Sequence, residues 1–234
     1  MSELYQTITE GSVRDLVNKF YRQVRSDEKL APIFDAAIGT TDDKWEQHLE
    51  KIAMFWSGIM LGIKGFEGNP LQAHKALPAF DGCLFSRWLA IFANTAIETH
   101  GIDAATSFIR KAVSIADMMS RDLYDNPVMA PSMPELPANM KYSRTTPPFQ
   151  AANIPDALRR AHRTAKNVHG RIVMTKGRLL YTIGKVQCHV LSRDNCGIIE
   201  PESLHFVTPL DDVEFVVEFY KDPLLSSSQG KSSS

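Results

Sequence analysis

Four side chains in the first half of this 234-residue chain could carry chemistry: Tyr21, His48, His74 and Trp88. An imidazole is a common metal ligand and changes charge near neutral pH. Tyrosine and tryptophan add a hydrogen-bond donor to a large apolar body. Taken singly, each has an ordinary explanation. His48 lies one turn before Ile52, at the side of an apolar helical stripe, where a partly buried histidine is common. Tyr21 follows Phe20 at the edge of another stripe, and Trp88 belongs to a third. A histidine on a short capped helix, such as His74, is usually just exposed. The order of the four along the chain matters more than any one of them.

The elements that must position them are helical. Val13, Leu16, Val17, Phe20 and Val24 recur at helical spacing. Trp45 to Met60 predicts a second helix with Leu49, Ile52, Phe55, Trp56 and Ile59 inward. Phe85, Trp88, Leu89, Phe92 and Ala96 mark a third, and Ala105, Phe108, Ile109, Ala112, Ala116 and Met119 a fourth. His74 falls between the second and third, in LQAHKALP after the glycine-rich GFEGNP. Asn69 suits an N-cap, Pro70 the first helical position and Pro78 the end, so a short helix is expected there.

Beyond Tyr124 the texture changes. Prolines at 127, 131, 134, 137, 147 and 148 crowd one stretch. Then RIVMT, RLLYTI, KVQCHVL and VEFVVEFY read as strands, with breaks at Gly177 and Gly184. Pro155 to Ala165 has room for a short helix. The expected organisation is a helical domain over 1–126, a linker over 127–134, a β-rich domain over 135–223 and a disordered, serine-rich tail over 224–234.

Composition narrows the function classes. Lysines and arginines number 26 against 27 acidic residues, a net charge of −1. No basic excess is present to hold a phosphate backbone, so nucleic acid is not an expected partner. No long uncharged apolar run suggests a membrane span. Three cysteines at no metal or disulfide spacing fit a reducing cytoplasm.

The words FYRQVR, APIF, WEQHLEKIAMFWSGIMLG, GNPLQAHKALP and RWLAIF together resemble the group III truncated haemoglobins, bacterial globins with a two-over-two helical sandwich. The likeness runs from about Val13 to Tyr124. It implies that His74 is the proximal iron ligand and that Tyr21, His48 and Ile52 lie over the distal face. Trp88 corresponds to a tryptophan of that distal pocket, and Phe34 to a phenylalanine packed near the haem edge. The cofactor implied is haem b, held non-covalently because no Cys-x-x-Cys-His run is present. A donor such as the Tyr21 hydroxyl strengthens binding of a ligand that gains negative charge. Slow release favours redox chemistry on O2, NO or peroxide over oxygen transport.

The later words PANMKYSRTTPPF, IPDALRRAHRT, GRIVMTKGRLLYTI, IIEPESLHFV and VEFVVEFYKDP resemble a small cupin-like family associated by name with tellurite resistance, with no known biochemical function. The resemblance implies a small β-barrel and a divalent metal on His162, His205 and Glu218. The common His-x-His pair is absent, and Gly170 stands where a glutamate seven residues before Gly177 is usual. Glu218 alternates with Phe215, Val217 and Phe219, so it can equally face water.

The expected fold is therefore multidomain, a truncated globin followed by a cupin-like barrel. The expected function is binding of O2, NO or another small diatomic ligand, served by a reductase of unknown identity. Enzymatic turnover is left open, with NO dioxygenase or peroxidase-like activity as the candidates. The rival readings are a haem-based sensor coupled to the cupin-like half, a metal-dependent cupin enzyme with a globin accessory, and a helical interaction module without cofactor.

Overall fold

Thr9 accepts a hydrogen bond from the Ser12 amide while Ser12 Oγ accepts one from the Thr9 amide, a reciprocal cap that starts helix α1, Glu10–Ser26. The computed structural model describes residues 3–222, and the tail expected at 224–234 lies outside them. α1 buries Val13, Leu16, Val17, Phe20, Tyr21 and Val24, the stripe read from the sequence.

α2, Ala31–Ile38, was not anticipated. It has eight residues and no polar face to set a period. In the turn before it, the Asp27 carboxylate accepts the backbone N–H groups of Lys29 and Leu30. α3 runs Asp42–Leu61 and stops at Gly62, whose φ of 71° is left-handed. α4, Pro70–Lys75, is the short helix expected around His74, and Asn69 Oδ1 caps it through the Gln72 amide. α5 is Leu84–Thr99 and α6 is Ile102–Tyr124. α1 packs on α3 and α5, and α5 on α6. On α3 the fully buried residues are Trp45, Ala53, Trp56 and Ser57. Leu49, Ile52, Phe55 and Ile59 are only half-buried. Among the described residues no helix is long and apolar enough to cross a membrane.

The chain divides into two compact units, the first running to Ala130 and including Lys185–Gln187, the second made of Pro131–Gly184 and the chain from Cys188 on. The second is antiparallel β. Its strands are β1 Lys141–Thr145, β2 Phe149–Gln150, β3 His162–Arg163, β4 Val168–Lys176, β5 Leu179–Ile183, β6 Gln187–Leu191, β7 Gly197–Ile199, β8 Leu204–Pro209 and β9 Glu214–Lys221. A 3-10 turn, Asp156–Arg159, occupies the place where a short helix had room. One sheet has the order β1-β9-β4-β7, with β2 also on β9, and the other β3-β8-β5-β6. Ile172, Met174, Phe215 and Val217 of the first meet Leu179, Tyr181, Leu191 and Val207 of the second in one core. Gly177 turns between β4 and β5 at φ 71°, and a Cβ there would lie 2.4 Å from the Asp212 carbonyl oxygen, so only glycine fits.

Candidate functional site

All six helices of the first unit contribute to the wall of one cavity, and that wall includes every residue singled out there from the sequence. α1 supplies Tyr21, α2 Phe34, α3 His48 and Ile52, α4 His74, and α5 Trp88. The remaining lining is almost wholly apolar. The half-burial of Ile52 and Phe55 follows from facing this space. It is partly open to solvent.

His74 is held in one orientation. Its Nδ1 lies 2.7 Å from the carbonyl oxygen of Pro70, one helical turn back. A carbonyl only accepts, so Nδ1 carries the hydrogen and Nε2 keeps its lone pair. A contact of this kind fixes the ring's orientation and makes the free nitrogen more basic. Phe85 stacks alongside, with ring centroids 6.4 Å apart.

Tyr21 anchors an aromatic cluster. Its ring lies 5.5 Å from His48 and 5.7 Å from Phe34, and Phe20 bridges it to Trp88 at 5.1 Å. Burial pushes the Tyr21 phenol well above its usual value, so the hydroxyl keeps its proton and remains a donor. His48 is pushed the other way, by burial and then by the charge of Lys51, which favours the neutral ring. Its Nε2 is buried with no hydrogen-bond partner among the described residues. An orphaned polar atom of this kind in a cavity wall is a mark of a site that expects a ligand or water.

Sequence reasoning missed much of the wall. Leu30, Ile33, Ala37 and Ile38 come from the unrecognised α2 and the turn before it, and Leu77 and Phe80 from the loop after α4. The one available signal was APIF itself, an apolar word too short to show periodicity.

Residues 3–121 match the family model of the bacterial-like globins, about half of the chain. The chain belongs to the bacterial-like globins. This globin is 36% identical over 120 residues to the group 3 truncated hemoglobin of Campylobacter jejuni, covering 51% of its own length and 94% of that relative. The crystal structure of the group III truncated hemoglobin from Campylobacter jejuni superposes with a TM-score of 0.51 at 35% identity, covering 52% of this chain and 96% of that one. Residues 144–217 match the model of a TehB-like domain. The structure of TehB from Haemophilus influenzae is 19% identical with a TM-score of 0.37, covering 42% of this globin and 36% of that chain.

Membership of a globin family implies haem binding, and the cavity fits that group. An apolar enclosure can take a porphyrin, and the His74 imidazole, its Nδ1 already bonded, is the residue there that could hold its iron.

The second unit departs from expectation. His162 and His205 do come together, as directly paired residues of β3 and β8 with ring centroids 4.2 Å apart. Glu218 does not join them. It lies on β9, in the other sheet, where its Oε2 receives Arg171 Nη2 at 2.7 Å and the Tyr220 hydroxyl at 2.7 Å. The metal site expected on His162, His205 and Glu218 is therefore not formed. Among the described residues no group of three or more histidine, cysteine or acidic side chains is placed to hold a metal. The physical reason is the pleat: Glu218 points away from the two-sheet core, and a guanidinium satisfies it there. Burial, first of all, holds the His205 imidazole down to about 4, and that ring is 2% exposed.

Proposed function

We propose that the first unit binds haem b with Nε2 of His74 as its single protein ligand to iron, and that it performs redox chemistry on O2, NO or peroxide rather than carrying oxygen. The observation that carries this reading is the His74–Pro70 hydrogen bond inside a cavity that also contains Tyr21. Haem held there would supply an iron that can bind a diatomic ligand and exchange electrons with it.

The chain's own residues set the terms. Pro70 holds the His74 ring against rotation. The Tyr21 hydroxyl donates to a small ligand in the Tyr21–His48–Ile52–Trp88 part of the pocket. A hydrogen bond to a charged acceptor contributes about 1.5–3 kcal/mol, roughly ten- to a hundred-fold in retention. That retention opposes delivery and favours reaction. Trp88 can only donate, through Nε1, so it reinforces the same preference. Ile52 and Phe34 keep bulk water out. His48, neutral, can donate or accept a hydrogen bond at Nε2 according to its tautomer.

Turnover needs an electron donor, and a cytoplasmic reductase fills that role in this reading. Three free cysteines suit that compartment. The test is NO consumption by the chemically reduced, haem-loaded protein in air-saturated buffer, followed with an NO electrode. Rapid loss of NO with nitrate as product supports a dioxygenase. Loss no faster than in buffer, with hydrogen peroxide equally inert, removes redox chemistry and leaves a binding protein.

A further inference from the structure

α4 is the smallest helix of the first unit, and it carries His74. It has six residues, buries none of them, and is flanked by the irregular stretches 62–69 and 76–83. A helix this short has no stability of its own in water. Besides its N-cap, contacts from the last turn of α6 hold it. Lys75 Nζ pairs with Asp122 at 2.6 Å. The Tyr124 hydroxyl donates to the Phe80 carbonyl at 2.8 Å, fixing the loop that follows α4. The Tyr124 ring also packs on Phe85, which stacks on His74.

The chain after α6 then turns back over this arrangement. Asp125 adopts a left-handed φ of 55°. Ser120 Oγ donates to the Pro127 carbonyl at 3.1 Å, and the Val128 amide donates to Asp117 Oδ1 at 3.3 Å. Ser120 is completely buried by the reversal. The next residue, Met129, lies against Gly82: a Cβ there would sit 1.9 Å from Met129 Cε and 3.5 Å from the Tyr124 ring. Residues 127–129 read from the sequence as the start of a linker, yet they cover the turn that leads into α5.

We propose that Asp122, Tyr124 and Met129 are positioning residues for His74, with the reversed segment Pro127–Met129 acting as a clasp that holds Tyr124 on the loop after α4. The clasp is a property of the protein alone. Its effect on a cofactor rests on the reading of His74 as the iron ligand.

The test compares Tyr124→Phe and Met129→Ala in the full chain with Met118→Ala, which alters an exposed methionine of α6 outside the clasp. The first readout needs no haem. The amides of Ala73 and Ala76, bonded to the Asn69 and Gln72 carbonyls, should exchange hydrogen about five- to ten-fold faster in the two clasp variants, as expected for losing roughly one hydrogen bond's worth of hold. The second uses the haem-loaded protein. Haem transfer to an acceptor apoprotein should accelerate by a similar factor, and the iron–histidine stretching band should shift or broaden. Exchange rates and bands equal to those of Met118→Ala overturn the proposal. If exchange accelerates but wild type takes up no haem, the clasp stands and the ligand role of His74 falls. Should either variant fail to fold, Asp122→Asn at the partly exposed Lys75 pair replaces it with the same expected and overturning results.

Discussion

The Nδ1 atom of His74 and the carbonyl oxygen of Pro70 are 2.7 Å apart, and this contact decides which ring nitrogen is free. A backbone carbonyl has two lone pairs, so that of Pro70 can accept from the His74 ring one turn on. A local sequence feature, PLQAH, thereby fixes the tautomer of the residue on which the site depends.

Tyr21 is the donor of the pocket. Tyr21→Phe should speed O2 dissociation roughly ten-fold or more, the expectation for losing one hydrogen bond to a charged acceptor. Carbon monoxide, which carries less charge when bound, should change less. Flash-photolysis and stopped-flow rates for both gases check this. Equal effects would mean that the ring acts by its bulk.

Asp27 ties the start of α2 to α5. Burial alone would raise its pKa, yet the Arg87 side chain and the amides of Leu30 and Lys29 hold it below the usual carboxylate value. Arg87 Nε lies 2.8 and 2.9 Å from its two oxygens. Asp27→Asn should cost about 1.5–3 kcal/mol in urea unfolding at pH 7. Because the folded pKa is depressed, this contribution is present above the unfolded value and fades as pH falls through the folded one. Wild type and variant should therefore converge in stability only as the pH falls below the unperturbed Asp value of about 3.9 and through the lower folded one. A constant gap across that range would show that the charge is not what matters.

His100 is completely buried between α5 and α6, and neither ring nitrogen has a partner among the described residues. Burial, chiefly, drops its pKa to about 4. The unfolded chain binds the proton more tightly, so between about pH 6.5 and the folded value stability falls as pH falls. His100→Leu should remove this term. Its melting temperature should exceed that of wild type at pH 5 by more than at pH 7.5. A difference independent of pH contradicts the assignment.

The two units are expected to fold separately. A chain ending at Ser132 retains the clasp residues and should bind haem with an unchanged spectrum. One ending at Asp125 lacks Pro127 to Met129 and should lose haem several-fold faster, as for loss of the contacts described above. Insolubility of the longer fragment would show that the second unit completes the core of the first.

Much of this was legible in the chain. The stripes on α1, α3, α5 and α6 each repeat over several turns, so burial period and helix coincide. His74 was placed by its punctuation, Asn69 and Pro70 before and Pro78 after. α2, β1 and β2 are short, and nothing periodic announces them. The two strands depend on a partner elsewhere, β9. Glu218 was misplaced because a period of two separates the faces of a strand without saying which is the inner one. The clasp is non-local, joining Gly82 to Met129, and leaves no pattern in either segment.

The most direct test of His74 as the iron ligand is the visible spectrum of three purified proteins: wild type, His74→Ala and His48→Ala. Wild type should show an intense haem band. His74→Ala should hold haem weakly and regain the band with added imidazole, which replaces the missing ring. His48→Ala should retain haem. A His74→Ala protein that keeps its spectrum without imidazole, while His48→Ala loses it, would place the iron on His48 and reverse the two sides of the pocket.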